Sequence, residues 1–417
     1  MSNILYFLPN EIFYAIEAAF IVIQFLFFTI YYLDKVAFKK TFEKIELIIF
    51  LAILLPFYTA FTSYVAFGQP MLFGILTKRE YFLAITGLMV LYFYNTGTLT
   101  IKNLQNIILF LCWATFIYYV FLIVFVGAKA LFEGGSGVVN YSETKGGYVF
   151  KFNAQFIVIG LIHYFVLFLG KDKFKYLIYV IILFAYLLFF LKARGLILAV
   201  AVTLSIYYVL NTDVKKKLFY GILLSLLSIL LLNLAFLFFE SSVRVFTEMF
   251  ENIFLVLQGE ETGENSADSR IFQVGLALGY LGDNILNWLF GLGFLSYQWN
   301  GGFAQLGYFF PTDIGIIGVI FVFGIFVFIA SKALYFVFYR YLSAIGNLLY
   351  EHSFFKKTVS FYIIYYAIHS IQTGEDLFHA QIIIIFLFVT YCMYKDALVT
   401  RILQKREKSI ELKKSKL

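Results

Sequence analysis

Residues 311–331 read PTDIGIIGVIFVFGIFVFIAS, and this stretch decides the class of fold. The 18 residues after Asp313 carry no charge, and a helix of that length crosses the hydrocarbon core of a bilayer. Pro311 suits the first turn of a helix, and Thr312 or Asp313 suits a helix N-terminus. The stretch therefore predicts a transmembrane helix that begins near Pro311.

Similar runs fill the rest of the chain. Hydrophobic residues make up 62% of the 417 residues, and charged residues only 14%. We count about eleven such runs, so residues 1–417 are predicted to form a single all-α, polytopic transmembrane domain with about 11–12 spanning helices. Outer-membrane barrels are excluded because their strands alternate. Cys112 and Cys392 fall inside apolar runs and are expected to be buried apolar side chains.

The distribution of Lys and Arg predicts the orientation. Alternate segments between the runs hold 23 and 9 of the 32 basic residues. Because basic residues concentrate on the cytoplasmic side, the richer set is predicted to be cytoplasmic, including 332–357 and a basic tail at 396–417. That tail is expected to contact anionic lipid headgroups rather than nucleic acid. The poorer set includes 240–310, which is predicted to be a large extracytoplasmic loop with an amphipathic surface helix at 271–295.

Four arginines on the predicted outer side need an explanation, because cations are disfavoured there: Arg79, Arg194, Arg244 and Arg270. A guanidinium matches the oxygens of a diphosphate, so an anionic lipid-linked substrate is one explanation. Ordinary explanations stay open. Arg194 can snorkel to the headgroups, Arg270 can pair with a nearby acid such as Asp268, and Arg79 can be an interfacial anchor. Arg244 is explained fully by glutamates four residues to either side.

Two acidic positions are candidates for a general base. Asp313 lies where a run enters the membrane from outside, and either caps the helix or accepts a proton from a sugar hydroxyl. In IQTGEDLFHAQ (371–381), Asp376 and His379 are three residues apart and share a face if the segment is helical. A carboxylate–imidazole pair can position a base, although the segment can equally be the polar tip of a helical hairpin.

Motifs for metal or nucleotide chemistry are missing from the sequence. There is no HExxH, no CxxC, no nucleotide-binding loop and no hydrolase elbow. The sequence therefore predicts neither a metal ion nor a cofactor.

A series of segments resembles a known family. In chain order they are GQPMLFGILTKR (68–79), KARG (192–195), SRIFQVGLAL (269–278), NWLFGLGF (287–294) and PTDIGIIGVIF (311–321). The series is similar to the bacterial O-antigen and capsule polymerases (Wzy-type), which share a fold with the O-antigen ligases. The resemblance covers roughly residues 67–330.

The resemblance implies a fold, an activity and partners. Such proteins are metal-independent, inverting glycosyltransferases of the membrane-embedded C type, in the bacterial cytoplasmic membrane. They join undecaprenyl-diphosphate-linked oligosaccharide repeat units at its outer face, alongside flippase and chain-length regulator proteins. By the motif match, Arg194 and Arg270 would grip the diphosphate, with Arg79 as a further candidate.

One departure from the family separates two of its activities. The ligases carry a histidine in the large loop, close to where this chain has GYFFPTD, but residues 240–310 contain none. The difference favours a polymerase over a ligase and leaves the base open among Asp313, Asp376 and His379. Asp313 is preferred for its fixed position at a helix start, with Asp376 and His379 as the alternative. A flippase or transporter of lipid-linked sugars is the rival from another class, and the few ionisable residues in mid-span count against it.

Overall fold

Helices dominate the described part of the chain. The computed structural model describes residues 10–35, 43–133, 139–142, 147–191, 193–213, 217, 219–222, 233, 265–307, 309–345 and 352–414. Six of the described helices are long and apolar enough to cross a membrane: Ala15–Asp34, Lys44–Phe67, Ile101–Val126, Phe174–Leu191, Pro311–Ile345 and Ala380–Leu403. The prediction of a helical, multi-pass membrane protein is confirmed at this level.

The described helices have the following bounds: α1 Asn10–Asp34, α2 Leu47–Phe67, α3 Met71–Thr77, α4 Ile85–Asn95, α5 Ile101–Phe121, α6 Ala128–Glu133, α7 Gln155–Lys171, α8 Phe174–Tyr186, α9 Arg194–Asn211, α10 Asn265–Leu281, α11 Ile285–Phe290, α12 Gly315–Ile345, α13 Ser353–Thr373, α14 Glu375–Phe378 and α15 Ala380–Lys414. Short 3₁₀ turns occupy Lys44–Glu46, Arg79–Ala84, Gly302–Leu306 and Pro311–Ile314. Single π-helical turns follow α5 and α8, at Leu122–Val126 and Leu187–Leu191.

Contacts divide the chain into two compact units. The first unit comprises Met1–Tyr14 and Ile108–Ser269, and the second comprises Ala15–Ile107 and Arg270–Leu417. Arg194 belongs to the first unit, whereas Arg270 is the residue at which the second unit resumes.

The first unit is built around α7, which is buried along almost its whole length. A Cβ added at Gly160 would lie 2.9 Å from Cβ of Cys112, so α5 and α7 pack closely at that point. Nearby, the Trp113 indole N–H donates to the Tyr164 hydroxyl at 2.6 Å. Cys112 is free and buried, as is Cys392 in the second unit, which confirms the prediction for both thiols.

A β-hairpin in the first unit departs from the all-helical expectation. Strands β1 (Val139–Ser142) and β2 (Gly147–Phe150) pair antiparallel, with Val139 opposite Phe150 and Tyr141 opposite Tyr148. The hairpin lies in a glycine-rich segment, and the valine, tyrosine and phenylalanine residues of its strands favour extended structure.

A broken helix organises the second unit. Within α12, Gly324 is non-helical, with φ 75° and ψ 168°. At the break, the carbonyls that precede Gly324 lose the N–H donors that a continuous helix would provide, and the segment 291–294 supplies N–H donors in their place. Leu292 N–H donates to Phe321 O at 2.7 Å, and Gly293 N–H donates to Val322 O at 3.0 Å. The break is therefore satisfied by chain that crosses it.

A buried amide ties this crossing segment to α2. Gln69 is fully buried, and its Nε2 donates to Ser63 Oγ and to Phe294 O, each at 3.0 Å. Ser296 N–H donates to Gln69 Oε1 at 2.7 Å. A Cβ added at Gly293 would lie 2.7 Å from Cβ of Ser63, so only glycine allows this approach.

Three predicted segments have different bounds in the structure. The helix predicted to end at 331 continues to Ile345, and α15 extends through the predicted tail as far as Lys414. Residues 265–295 of the predicted outer loop contain α10, α11 and part of the crossing segment, rather than one surface helix. Residues 240–264, including Arg244, lie outside the described part.

The extension of α12 corrects one point of the predicted topology. Lys332 was assigned to a cytoplasmic segment and Asp376 to an outer one, yet Lys332 Nζ forms an ion pair with the Asp376 carboxylate. The two residues therefore lie at the same level, because hydropathy alone placed the end of the helix too early. Moving Lys332 changes the split of basic residues to 22 and 10, which leaves the predicted orientation unchanged.

Candidate functional site

The clearest cluster of chemistry joins the start of α4 to the start of α15. His379 Nδ1 lies 3.3 Å from Glu80 Oε2, and Lys78 Nζ lies 3.6 Å from Glu80 Oε1. The side chains of His379 and Glu80 are 39% and 30% exposed, so the pair lies partly at the surface of the protein. We call these three residues the Lys78–Glu80–His379 cluster.

Local structure explains why Glu80 meets His379. Glu80 lies in the 3₁₀ turn Arg79–Ala84, and the Tyr81 hydroxyl in the same turn donates to Leu377 O in α14. From α13, the Tyr366 hydroxyl donates to Glu375 O at 3.1 Å and to His379 O at 3.2 Å. Two buried tyrosines therefore fix the backbone on which the imidazole is carried.

The charges in the cluster shift its proton affinities. Burial lowers the pKa of His379, but the hydrogen bond with Glu80 and the charges of Glu80 and Glu375 outweigh it, so the pKa is raised overall. Burial opposes ionisation of Glu80, yet His379 and Lys78 together lower the pKa of Glu80 to about 2. Glu80 is therefore an anion at neutral pH, and it favours the imidazolium that forms when His379 accepts a proton.

Asp376 has a different partner from the one its spacing predicts. It is 2% exposed, its carboxylate binds Lys332 Nζ, and the Tyr335 hydroxyl lies 3.4 Å from Oδ2. Its own N–H donates to Ser370 Oγ at 3.0 Å. The helical turn α14 ends before His379, whose φ of −132° and ψ of 47° are not helical. The predicted Asp376–His379 pair is therefore replaced by Asp376–Lys332 and Glu80–His379.

Asp313 lies in the 3₁₀ turn Pro311–Ile314, in the first turn of the run that α12 continues, and its side chain is exposed. A Cβ added at Gly315 would lie 2.6 Å from Ile371 O, so this turn packs on the end of α13. That end leads through Gly374 into α14 and His379. The three candidate bases therefore lie towards the same end of the second unit.

Arg270 lies towards the same end of the second unit, because the side-chain amide of the nearby Gln273 is hydrogen-bonded there. It is exposed, and lies one turn before Gln273 on α10. The buried Gln273 accepts a hydrogen bond from Phe310 N at 2.7 Å through its Oε1, so α10 is joined to the chain just before Pro311. Residues three apart on a helix are neighbours, which places Arg270 near the turn that carries Asp313.

The other two candidate arginines have different settings. Arg79 Nη2 lies 2.6 Å from Glu17 Oε2, and Nη1 donates to Leu76 O at 2.7 Å. Glu17, one of the few ionisable residues inside an apolar run, is therefore the partner of Arg79. Arg194 is the first residue of α9 in the first unit, and its side chain lies outside the described part. The side chains of Asp268 and Glu264, two acids close to Arg270 in the sequence, also lie outside the described part.

Sequence reasoning missed Lys78, Glu80 and Lys332 as functional candidates. Lys78 and Glu80 flank Arg79 in a charged triplet that opens an apolar run, and that triplet was the available signal. Lys332 lies alone in the apolar stretch IASKALYF, where an ionisable side chain needs a partner. No family model, curated protein or solved structure matches this chain.

Proposed function

We propose that this chain is a membrane-embedded glycosyltransferase that polymerises lipid-diphosphate-linked oligosaccharide repeat units, with His379 as its general base. The observation that carries the proposal is the Glu80–His379 pair, partly exposed at one end of a bundle of apolar helices. A carboxylate–imidazole pair is a common way to position a base. The proposal assigns the active site to the outer face of the bacterial cytoplasmic membrane, following the charge count.

The proposed reaction is a single displacement at the anomeric carbon of the donor sugar. The acceptor hydroxyl oxygen forms the new glycosidic bond while the bond from that carbon to the diphosphate breaks. The electron pair of the broken bond leaves with the diphosphate, and the hydroxyl proton goes to Nε2 of His379. Glu80, on the Nδ1 side, stabilises the imidazolium that results. Because the leaving group is already activated, the step requires no metal or nucleotide.

Arginine supplies the complementary charge. Arg270 is exposed towards the same end of the second unit as His379, and its guanidinium would neutralise the charge that builds on the departing diphosphate. Arg79 stays in the proposal as a further diphosphate ligand through the resemblance, and the role that the resemblance implies for Arg194, in the first unit, stays a prediction. Arg79 would have to exchange its contact with Glu17 to take that role.

His379 is preferred to both acidic candidates. Asp376 is buried and bound to Lys332, so an acceptor hydroxyl has poor access to it. Asp313 is exposed, but a carboxylate in the first turn of a helix is stabilised as an anion and is a weak base.

The test is polymerisation of a purified lipid-diphosphate repeat unit by purified variants. We expect His379→Gln to lower the rate by about 10²- to 10⁴-fold, because a positioned base is lost. We expect Asp313→Asn to stay near the full rate, and His352→Gln, at a histidine outside the cluster, to be the matched control. Normal polymerisation by His379→Gln would remove His379 from the mechanism. Transfer to a different glycan acceptor, without polymer, would identify a ligase instead.

A transporter of anionic lipid-linked sugars is the second candidate, and one observation favours it. The buried Asp376 is paired with Lys332 on a helix broken at Gly324, and charged pairs beside broken helices occur at the substrate sites of transporters. Reconstituted vesicles distinguish the two. Movement of a labelled lipid-linked saccharide across the bilayer, with no polymer formed, would favour the transporter.

A further inference from the structure

One carboxylate in the cluster is shared between two partners. Glu80 presents Oε2 to the imidazole of His379 at 3.3 Å and Oε1 to the ammonium of Lys78 at 3.6 Å. The negative charge that favours protonation of His379 is therefore shared with the Lys78 amine, whose pKa is lowered overall by burial, although Glu80 and Glu375 raise it. Lys78 has no evident role in binding a substrate, because its side chain is only 6% exposed.

Lys78 is held in place by aromatic rings from separate segments. Its Nζ lies 4.0 Å from the centre of the Phe294 ring, 5.4 Å from that of Phe378 and 5.8 Å from that of Tyr81. Phe294 belongs to the segment that crosses the break in α12, and Phe378 ends α14. Ring faces stabilise a cation without neutralising it. Among the described residues, Glu80 is the only carboxylate in ion-pair contact with Lys78.

We propose that Lys78 is a positioning residue that holds Glu80 in place and, through its charge, offsets part of the pull that Glu80 exerts on the proton of His379. This inference rests on the proposed function for its catalytic meaning, but the effect on His379 can be measured without any activity. A purely structural role, in which Lys78 only joins three segments, would leave the proton affinity of His379 unchanged.

The direction of the effect follows from the charges that face His379. Glu80 and Glu375 raise the pKa of His379, and Lys78 lowers it. On the other elements nearby, Lys332 of α12 is neutralised by Asp376, and Tyr366 of α13 donates a neutral hydroxyl to the backbone of His379. Asp313, in the turn before α12, and Glu17, paired with Arg79, are further acids towards this end. Removing the charge of Lys78 therefore raises the pKa of His379.

The experiment measures the pH dependence of diethyl pyrocarbonate labelling at His379 in the purified full-length protein, read by peptide mass spectrometry. The reagent modifies the neutral imidazole, so the labelling rate rises through the pKa. We expect the midpoint for His379 to move to higher pH in Lys78→Met and in Lys78→Gln, and to lower pH in Glu80→Gln. The midpoint for His352, in the same samples, should not move.

Lys395→Met is the matched control. Lys395 pairs with Glu43 at 3.0 Å and lies sixteen residues along α15 from His379, or roughly 24 Å at the helical rise. The Lys395→Met variant should leave the His379 midpoint unchanged.

An unchanged midpoint in both Lys78 variants, with the wild-type elution volume on size exclusion, would overturn the inference. If the protein polymerises sugars, the acid limb of the rate profile should shift with the labelling midpoint. If no polymer forms, a shift of the labelling midpoint would still support the proposed role of Lys78, while the proposed glycosyltransferase activity would be rejected.

Discussion

Asp376 shows how strongly a single residue depends on a partner that lies elsewhere in the chain. It is 2% exposed, and a carboxylate so buried needs a counter-charge and hydrogen bonds. Lys332, Tyr335 and the hydroxyl of Ser370 surround it. His379, three residues away, instead faces Glu80, and this exchange of partners leaves the imidazole accessible.

At this scale we predict that Lys332→Met destabilises the protein. Removing one member of a buried pair leaves the other uncompensated, which costs about 3–5 kcal/mol. We expect the lower end, because the Lys332 side chain is 42% exposed. Lys332→Met combined with Asp376→Asn should recover part of the loss. Thermal unfolding in detergent measures it, with Lys129→Met as control, since the Lys129–Glu133 pair is largely exposed. Equal melting temperatures for the two single variants would contradict the prediction.

The break in α12 is the element on which the second unit is assembled. A continuous helix would satisfy its own carbonyls, whereas the break at Gly324 offers Phe321 and Val322 to the segment 291–294. That segment in turn places Phe294 over Lys78. The geometry of the cluster therefore depends on a glycine far from it in sequence.

At the scale of the element we predict that Gly324→Ala is severely destabilising. A Cβ at this position would lie 2.5 Å from the carbonyl carbon of Phe290, and φ is 75°. Gly97→Ala is the matched control, because Gly97 has φ 77° and nothing within 4 Å of the added carbon. It should therefore show only the backbone penalty, about 1–2 kcal/mol. Melting temperatures of the two variants check this, and a similar loss in both would mean that the contact with Phe290 is unimportant.

At the scale of the whole molecule, the second unit has two polar ends. Arg79, Glu80, Asp376 and His379 gather towards one end. At the other, Lys395 Nζ contacts Glu43 Oε1 at 3.0 Å and Asn95 Oδ1 at 2.8 Å. Glu43 and Lys395 belong to the segments 34–44 and 395–417, which the charge count assigns to the cytoplasm, and Asn95 lies two residues before a third such segment, 97–103. The structure thus groups the predicted inner segments together, apart from the candidate site.

We predict that the site end faces the outside of the cell. In intact cells a membrane-impermeant maleimide should label Tyr297→Cys, since Tyr297 is 83% exposed in the predicted outer loop. Thr98→Cys, in the exposed loop after α4, should react only after permeabilisation. Background is expected to be low, because the native Cys112 and Cys392 are both fully buried. The opposite pattern would invert the topology and reject an outer active site.

The sequence by itself determined the class of protein. Apolar runs such as 45–66 specify membrane-spanning helices, because transfer into lipid depends on the composition of each segment and not on its neighbours. It also singled out Asp376 and His379 as candidates for a base and Arg79 as a cation on the predicted outer side. Their proposed chemical roles rest on the resemblance and stay predictions.

Only the tertiary structure decided which groups meet. Glu80 contacts His379 although about three hundred residues of chain separate them. Lys332 contacts Asp376 from α12, a helix whose end was predicted too early from hydropathy. Spacing along the chain describes neighbours on one helix, but ion pairs between helices depend on how the helices pack and where they break. For that reason Gly324, Gln69 and Lys78 gain their importance from contacts that no local pattern contains.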